Sequence, residues 1–172
     1  MKQIYLLAIR LYEESRRAGA PPDRCQCCGA AVAEGVKGCW ELYAGLGERA
    51  YADPAYATAT FYGVDAHALQ HPEIHGIKNN AAHLLRLHWI FSRHAYVQAN
   101  TVPRWWQAYL QSNNIPHLDP PPQRGDITVV QVAAAPSAPA YAAAMQAWGR
   151  AVYDAWAIHH GWAERTLAAL LR

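Results

Sequence analysis

The feature that most constrains this chain is a cluster of cysteines near its beginning. All four cysteines lie between Cys25 and Cys39, and the pair Cys25 and Cys28 has C-x-x-C spacing, followed directly by Gly29. This spacing is typical of a zinc knuckle, in which two thiolates lie on a tight turn and the glycine lets the backbone reverse. The sequence therefore predicts a metal site that holds an irregular loop.

Cys39 is the expected third ligand. It precedes Trp40 at the predicted start of a helix, where the helix dipole favours a thiolate. Cys27 lies inside the turn and is expected to point away from the shared ion. The cysteines could instead be small buried residues, since one C-x-x-C is only moderately specific. A thioredoxin-like redox motif is less favoured, because no βαβ pattern surrounds it. Soft thiolate ligands indicate zinc as the metal.

Charge and hydropathy limit the partners. The net charge is +2 and the chain contains no long run of lysine or arginine, so nucleic-acid binding has little support. No apolar run approaches the ~20 residues of a membrane span. Residues 1–17 are typical of an amphipathic helix rather than of a signal peptide. We therefore expect a cytoplasmic protein that binds neither nucleic acid nor membranes, with cysteines that serve as metal ligands rather than disulfides.

The spacing of apolar residues predicts helices along most of the chain, separated by glycine and proline. The predicted fold class is all-α, a single-domain helical bundle over residues 1–172. An irregular zinc loop at residues 20–38 connects the first two helices, and a proline-rich surface loop occupies residues 113–127. The β-branched run 127–132 allows a strand as an alternative to a helical turn. The expected long helices are 2–18, 39–51, 54–70, 78–94 and 138–171. Two shorter helical segments are expected, one opened by Pro103 and one at 129–134 after a capping box at Thr128.

Helix geometry selects candidates for the fourth ligand. A short turn at Asp53 and Pro54 makes the second and third helices antiparallel, so the end of the third helix returns to the level of Cys39. His71 lies at that end and is the first choice. The alternates are His67 one turn earlier, His83 one turn into the next helix, and His160 near the end of the chain.

A histidine-based site is the competing interpretation. His67 and His71 are four residues apart and could chelate a metal without any cysteine. A further histidine from another helix, His83, His159 or His160, would complete a catalytic metal site inside the bundle. Asp65 is about 160° from His67 around the helix, so we expect it to form a salt bridge or a buried hydrogen bond instead.

Short motifs follow one another in a set order: Cys25-x-x-Cys28-Gly29, Cys39-Trp40-Glu41-Leu42-Tyr43, Asp53-Pro54-Ala55-Tyr56, Val64-Asp65-Ala66, Gln70-His71-Pro72, His83-Leu84 and Trp156-x-x-His159-His160. In this order they resemble a bacterial family of small proteins of unknown function, from Cys25 to the end. The resemblance implies that the family pattern includes Cys25, Cys28, Cys39, Asp65, His71, His83 and one of His159 and His160. Cys27 departs from it, because such proteins usually carry a small non-cysteine residue there.

Two functional hypotheses follow. The first is a non-catalytic, zinc-stabilised module that binds a small-molecule ligand or a protein partner in a cleft near the metal. The second is a metal-dependent enzyme, a hydrolase or thiol transferase of the DinB-like bundle type, although the DinB-like histidine spacing is not reproduced. The coordination distinguishes them. Three cysteines and one histidine indicate structural zinc, whereas a histidine-rich shell with bound water indicates catalysis.

Overall fold

Helices make up most of the structure, a computed structural model that describes residues 2–76, 78–93, 104–112 and 115–172. The described residues contain no strand beyond an isolated antiparallel bridge between Arg24 and Ala31. The all-α prediction is confirmed. The helices are α1 Lys2–Arg17, α2 Gly35–Ala52, α3 Thr60–Gln70, α4 Pro72–His75, α5 Lys78–Ser92, α6 Arg104–Gln111, α7 Val129–Ala133, α8 Ala138–Ala155 and α9 His160–Leu170, with short 3₁₀ helices at Pro54–Ala59 and Ala157–His159.

The core forms where α3, α5 and α8 pack together. Two glycines allow α3 and α8 to approach closely. A Cβ atom on Gly63 would lie 2.7 Å from the sulfur of Met145, and one on Gly149 would lie 3.0 Å from the ring of Tyr62. Helix α1 packs on α2 at one side of the core, and α9 packs on α5 at the other. This arrangement leaves the loop between α1 and α2 beside the C-terminal end of α3.

Helix α2 begins at Gly35, earlier than the predicted start at Cys39. The predicted loop at 20–38 therefore ends at residue 34. The side chain of Gln26 causes this early start, because its carbonyl oxygen accepts the backbone N–H of Val36 at 3.1 Å. That hydrogen bond satisfies one of the backbone N–H groups that lack a partner within the first turn of α2. The side chain of Glu34, the N-cap residue, makes no such bond. Cys39 consequently lies in the second turn, and the dipole argument for its thiolate does not hold.

The single final helix predicted at 138–171 is wrong, because α8 ends at Ala155 and α9 begins at His160. Trp156 separates them and is fully buried. Nε2 of His160 bonds the carbonyl oxygen of Tyr153 at 2.9 Å, close to the break. The break lets α9 turn onto α5, so that Trp156 and the apolar face of α9 are both buried.

Most other boundaries agree with the sequence pattern. Asp53 accepts the backbone N–H of Ala55 at 2.9 Å, as the predicted cap requires, but the residues that follow form a 3₁₀ helix before α3 begins. The capping box of Thr128 and Gln131 is present and opens α7, which rules out the alternative strand. Residues 115–128 contain no helix. The predicted helix end at 94, the predicted helix start at 103 and the first two residues of the predicted surface loop, 113 and 114, lie outside the described residues. No helix in the described part of the chain has both the length and the apolar character needed to cross a membrane.

Candidate metal centre

Three separate parts of the chain meet at one cluster of thiols and imidazole. Cys25 and Cys28 come from the loop before α2, Cys39 from α2, and His71 from the junction of α3 and α4. Their sulfur atoms and one imidazole nitrogen all lie within 4.8 Å of one another. Cys25, Cys39 and His71 are almost completely buried, and Cys28 is half-buried. The described residues contain no other group of three or more potential ligands this close together.

Backbone hydrogen bonds shape the loop that carries the first two cysteines. The N–H of Cys25 donates to the carbonyl oxygen of Ala30 at 2.8 Å, and the N–H of Gly29 donates back to Cys25 at 2.9 Å. Gly29 has a φ of 75°, a conformation that glycine adopts without strain. Arg24 closes the turn from outside by donating to the carbonyl oxygen of Gly29 at 3.2 Å. The C-x-x-C-G pattern thus forms the predicted knuckle.

Gly38 lets the loop pass close to α2 beside Cys39. A Cβ atom on Gly38 would lie 1.9 Å from the backbone carbonyl oxygen of Ala33, which no real side chain can tolerate. The glycine therefore brings the last residues of the loop against the first turn of α2. Cys39 is the next residue, and its side chain is fully buried facing Cys28.

His71 is held in the tautomer that a metal ligand needs. Its Nδ1–H donates to the backbone carbonyl oxygen of His67 at 2.8 Å, so Nε2 is the nitrogen that can bind a metal once it has lost its own proton. Nε2 lies 3.5 Å from the sulfur of Cys25 and 3.3 Å from that of Cys39. Ligating histidines in proteins usually donate their other N–H in this way. The backbone of His71 leaves the helix because Pro72 follows it.

Three separations within the cluster, of 3.8, 3.5 and 3.3 Å, are close to those around a tetrahedral ion. With a Zn–S bond of about 2.3 Å and a Zn–N bond of about 2.0 Å, two sulfurs lie about 3.8 Å apart, and a sulfur and the nitrogen about 3.5 Å apart. The sulfurs of Cys28 and Cys39 are 3.8 Å apart. A disulfide would require about 2.05 Å, and all four cysteines are free thiols. The donor set and its spacing therefore fit zinc.

Without a metal the cluster retains protons. Burial alone would lower the pKa of His71, but hydrogen bonds to Cys25 and Cys28 and the charge of their thiolates raise it to about 10. Hydrogen bonds from the neighbouring thiols lower the pKa of Cys25, while the bond to Cys25 and burial raise that of Cys39. A metal ion must displace these protons, so binding is expected to release them to solvent.

Cys27 lies outside the cluster and lines a cleft of about 1240 Å³. One wall is the cysteine loop, from Ala20 to Gly29, and the opposite wall is the proline-rich loop, from Pro121 to Asp126. Ile158 stands at the edge with 72% of its surface exposed. The cleft therefore runs along the outer side of the cluster, where Cys25 and Cys28 also contribute to its lining.

The alternate histidines make other contacts. His67 Nδ1 and His75 Nε2 share a hydrogen bond of 2.9 Å. His83 Nδ1 bonds the carboxylate of Asp65 at 2.7 Å, and His160 bonds the carbonyl oxygen of Tyr153 at the break between α8 and α9. None of the three alternates belongs to the cluster.

Asp65 forms the buried salt bridge that the sequence favoured over a catalytic role. It is fully buried, and its oxygens accept from Nε and Nη2 of Arg86 at 2.6 and 2.5 Å in addition to the bond from His83. The guanidinium of Arg86 also stacks 5.0 Å from the ring of Trp106. This network ties α3 to α5.

Gln70 is a supporting residue that the sequence analysis did not select. Its side-chain amide donates to the carbonyl oxygens of Arg124 and Ile127 at 3.0 and 2.9 Å and accepts the indole N–H of Trp148 at 2.9 Å. It therefore joins the end of α3, the proline-rich loop and α8 directly beside His71. Its position before His71-Pro72 was visible in the sequence, but these long-range partners were not.

Comparison with known proteins supports the predicted relationship to a family of unknown function. No curated protein and no solved structure matches the chain. Residues 23–157 match the model of DUF5946, described as a family of unknown function, and this region contains all four residues of the cluster. The chain therefore belongs to the DUF5946 family.

Proposed function

We propose that the protein is a zinc-stabilised helical module in which one ion, held by Cys25, Cys28, Cys39 and His71, fixes the cysteine loop to the bundle. The observation that carries this proposal is the meeting of four ligand atoms from three separate segments within 4.8 Å of one another. The hydrogen bond that sets the His71 tautomer supports it independently. Reduced thiols are required, so we place the protein in a reducing compartment, the cytoplasm.

The donor set favours a structural role for the ion. Three thiolates and one imidazole fill a tetrahedral zinc shell and leave no position for a reactive water. His83 and His160, which a histidine-rich catalytic shell would need, bond to Asp65 and to a backbone carbonyl instead. The contacts of these histidines therefore support the module over the metal-dependent hydrolase or transferase.

The cleft beside the cysteine loop is the place where we expect the small-molecule ligand or protein partner. Its volume of about 1240 Å³ is somewhat larger than that of typical ligand pockets, which are about 300–1,000 Å³. Its walls include residues of the knuckle, so zinc would set the shape of one side. Fragment binding followed by NMR on the zinc-loaded protein tests this role. Shifts should concentrate at residues 20–29 and 121–126 and vanish when zinc is removed.

Zinc content of purified variants tests the ligand assignment. The wild-type protein should contain about one zinc per chain, and Cys25→Ser, Cys39→Ser and His71→Ala should each lose most of it. Cys27→Ser is the matched control, because Cys27 lies two residues from Cys25 but outside the cluster. Full zinc retention in Cys25→Ser, or loss in Cys27→Ser equal to that in Cys39→Ser, would reject the assignment.

A further inference from the structure

We infer that His67 is a positioning residue, which holds the imidazole of His71 in its ligating orientation through a stack of aromatic rings closed by Tyr43. This inference rests on the proposed zinc site and assigns a role to residues that are not ligands. His67 was an alternate ligand on sequence grounds, and the structure places it next to the cluster but outside it.

The rings of Tyr43, His67 and His71 form a continuous column. The ring centres of His67 and His71 are 4.1 Å apart with an 18° angle between the planes, and those of Tyr43 and His67 are 4.0 Å apart with a 14° angle. The ring of His67 is thus held between two parallel neighbours. The two ends of the column come from different helices, because Tyr43 belongs to α2 and His71 directly follows α3.

A hydrogen bond keeps the middle ring from turning. His67 Nδ1 and His75 Nε2 are 2.9 Å apart, so α4 fixes the plane of the His67 ring. Nε2 of His67 is buried and has no hydrogen-bond partner among the described residues. The ring of His67 therefore makes one hydrogen bond, to His75, and contacts the cluster through the ring of His71.

The column matters because the other contacts of His71 leave its imidazole ring free to tilt. The bond from Nδ1 to the backbone of His67 fixes the tautomer, but a single hydrogen bond permits the ring to rock about it. The parallel ring of His67 blocks that movement and keeps Nε2 directed at the sulfurs of Cys25 and Cys39. Changes to groups that orient a ligand typically weaken metal binding by about 10- to 100-fold.

Paired variants of His67 test the inference through zinc affinity, measured by competition with a chromophoric chelator. His67→Ala removes the ring but keeps the backbone carbonyl, and it should raise the zinc Kd at least about tenfold. His67→Phe keeps a flat ring and should remain within about threefold of wild type, although it loses the bond to His75. Leu69→Ala is the control for a general cavity effect, because Leu69 is fully buried on the same helix and two residues from both histidines.

A second pair covers the case in which His67→Ala does not fold. Tyr43→Leu should weaken zinc binding while Tyr43→Phe should not, because only the first removes the stacked ring. The visible spectrum of the cobalt-substituted protein should change in His67→Ala and Tyr43→Leu, since the ligand field reports the orientation of His71. Equal affinities in the alanine and leucine variants and wild type would overturn the positioning role. Failure of the wild type to bind zinc would instead reject the proposed function.

Discussion

Removal of the metal should open the cysteine loop while the rest of the bundle remains folded. The ion would connect Cys28 in the loop to Cys39 in α2, and these residues are 11 apart in the chain. Treated as a cross-link that closes a loop of this length, it contributes about 3 kcal/mol through chain entropy. The loop has little else to hold it, because only Cys25 and Ala30 of its residues belong to the buried core.

Hydrogen exchange measures this difference residue by residue. Loss of about 3 kcal/mol corresponds to an increase in exchange rate of about a hundredfold for amides that exchange by local opening. The amides of Cys25, Gly29 and Val32, which bond within the loop, should show it on addition of a chelator. Buried amides of α5 and α8 should keep their protection, since those helices pack without the ion.

Two results would refute the reasoning. A uniform loss of protection across α5, α8 and the loop would mean that the ion stabilises the whole fold. Unchanged exchange in the loop would mean that the loop needs no metal. The matched control is the same chelator added to Cys39→Ser, in which little further change is expected because one ligand is already missing.

Three further predictions concern residues around the site. Gly38→Ala should destabilise the fold by about 3 kcal/mol or more, because the new Cβ would overlap a backbone carbonyl oxygen. A Cβ on Gly45 of the same helix would meet no atom within 4 Å, so Gly45→Ala should stabilise the fold by about 0.5–1 kcal/mol, and urea titration distinguishes the two variants. Asp65→Asn should lower the free energy of unfolding by about 3–5 kcal/mol, because it leaves Arg86 without its buried charged partner. The zinc content of this variant should not change, and loss of zinc would contradict the structural role of the Asp65–Arg86 pair. Burial, together with the charges of His83 and His71, lowers the pKa of His75 from 6.5 to about 3. Between pH 6.5 and about pH 3 the unfolded chain therefore binds a proton at His75 and the folded protein does not, so the free energy of unfolding falls as the pH falls. In unfolding titrations across that window His75→Asn should reduce the slope by about one proton, ~1.4 kcal/mol per pH unit, and an identical slope in both proteins would contradict the assignment.

The features of the site that could be predicted are those with local signatures. The C-x-x-C-G spacing indicated the knuckle, because tight turns with a glycine in the left-handed region depend on neighbouring residues only. The meeting of His71 and Cys39 also followed from helix length and the turn at Asp53, although α2 begins earlier and α3 is shorter than the pattern suggested. The sequence could therefore place the cluster without accurate helix boundaries.

The features that were missed depend on contacts between distant parts of the chain. The residues that connect α8 to α9, 156–159, include no glycine or proline, and burial of Trp156 and packing of α9 on α5 stabilise the break. The cap that Gln26 provides to α2 comes from ten residues away and follows no helix-start pattern. The same is true of Gln70, whose partners lie more than fifty residues further along the chain. Propensity and periodicity contain no information about such pairs.

X-ray absorption at the zinc edge, combined with elemental analysis of the purified wild-type protein, measures the number and identity of the ligand atoms. We predict about one zinc per chain, with a first shell of three sulfurs at about 2.3 Å and one nitrogen at about 2.0 Å. A shell dominated by nitrogen and oxygen, or a protein purified under reducing conditions that binds no zinc, would contradict this prediction.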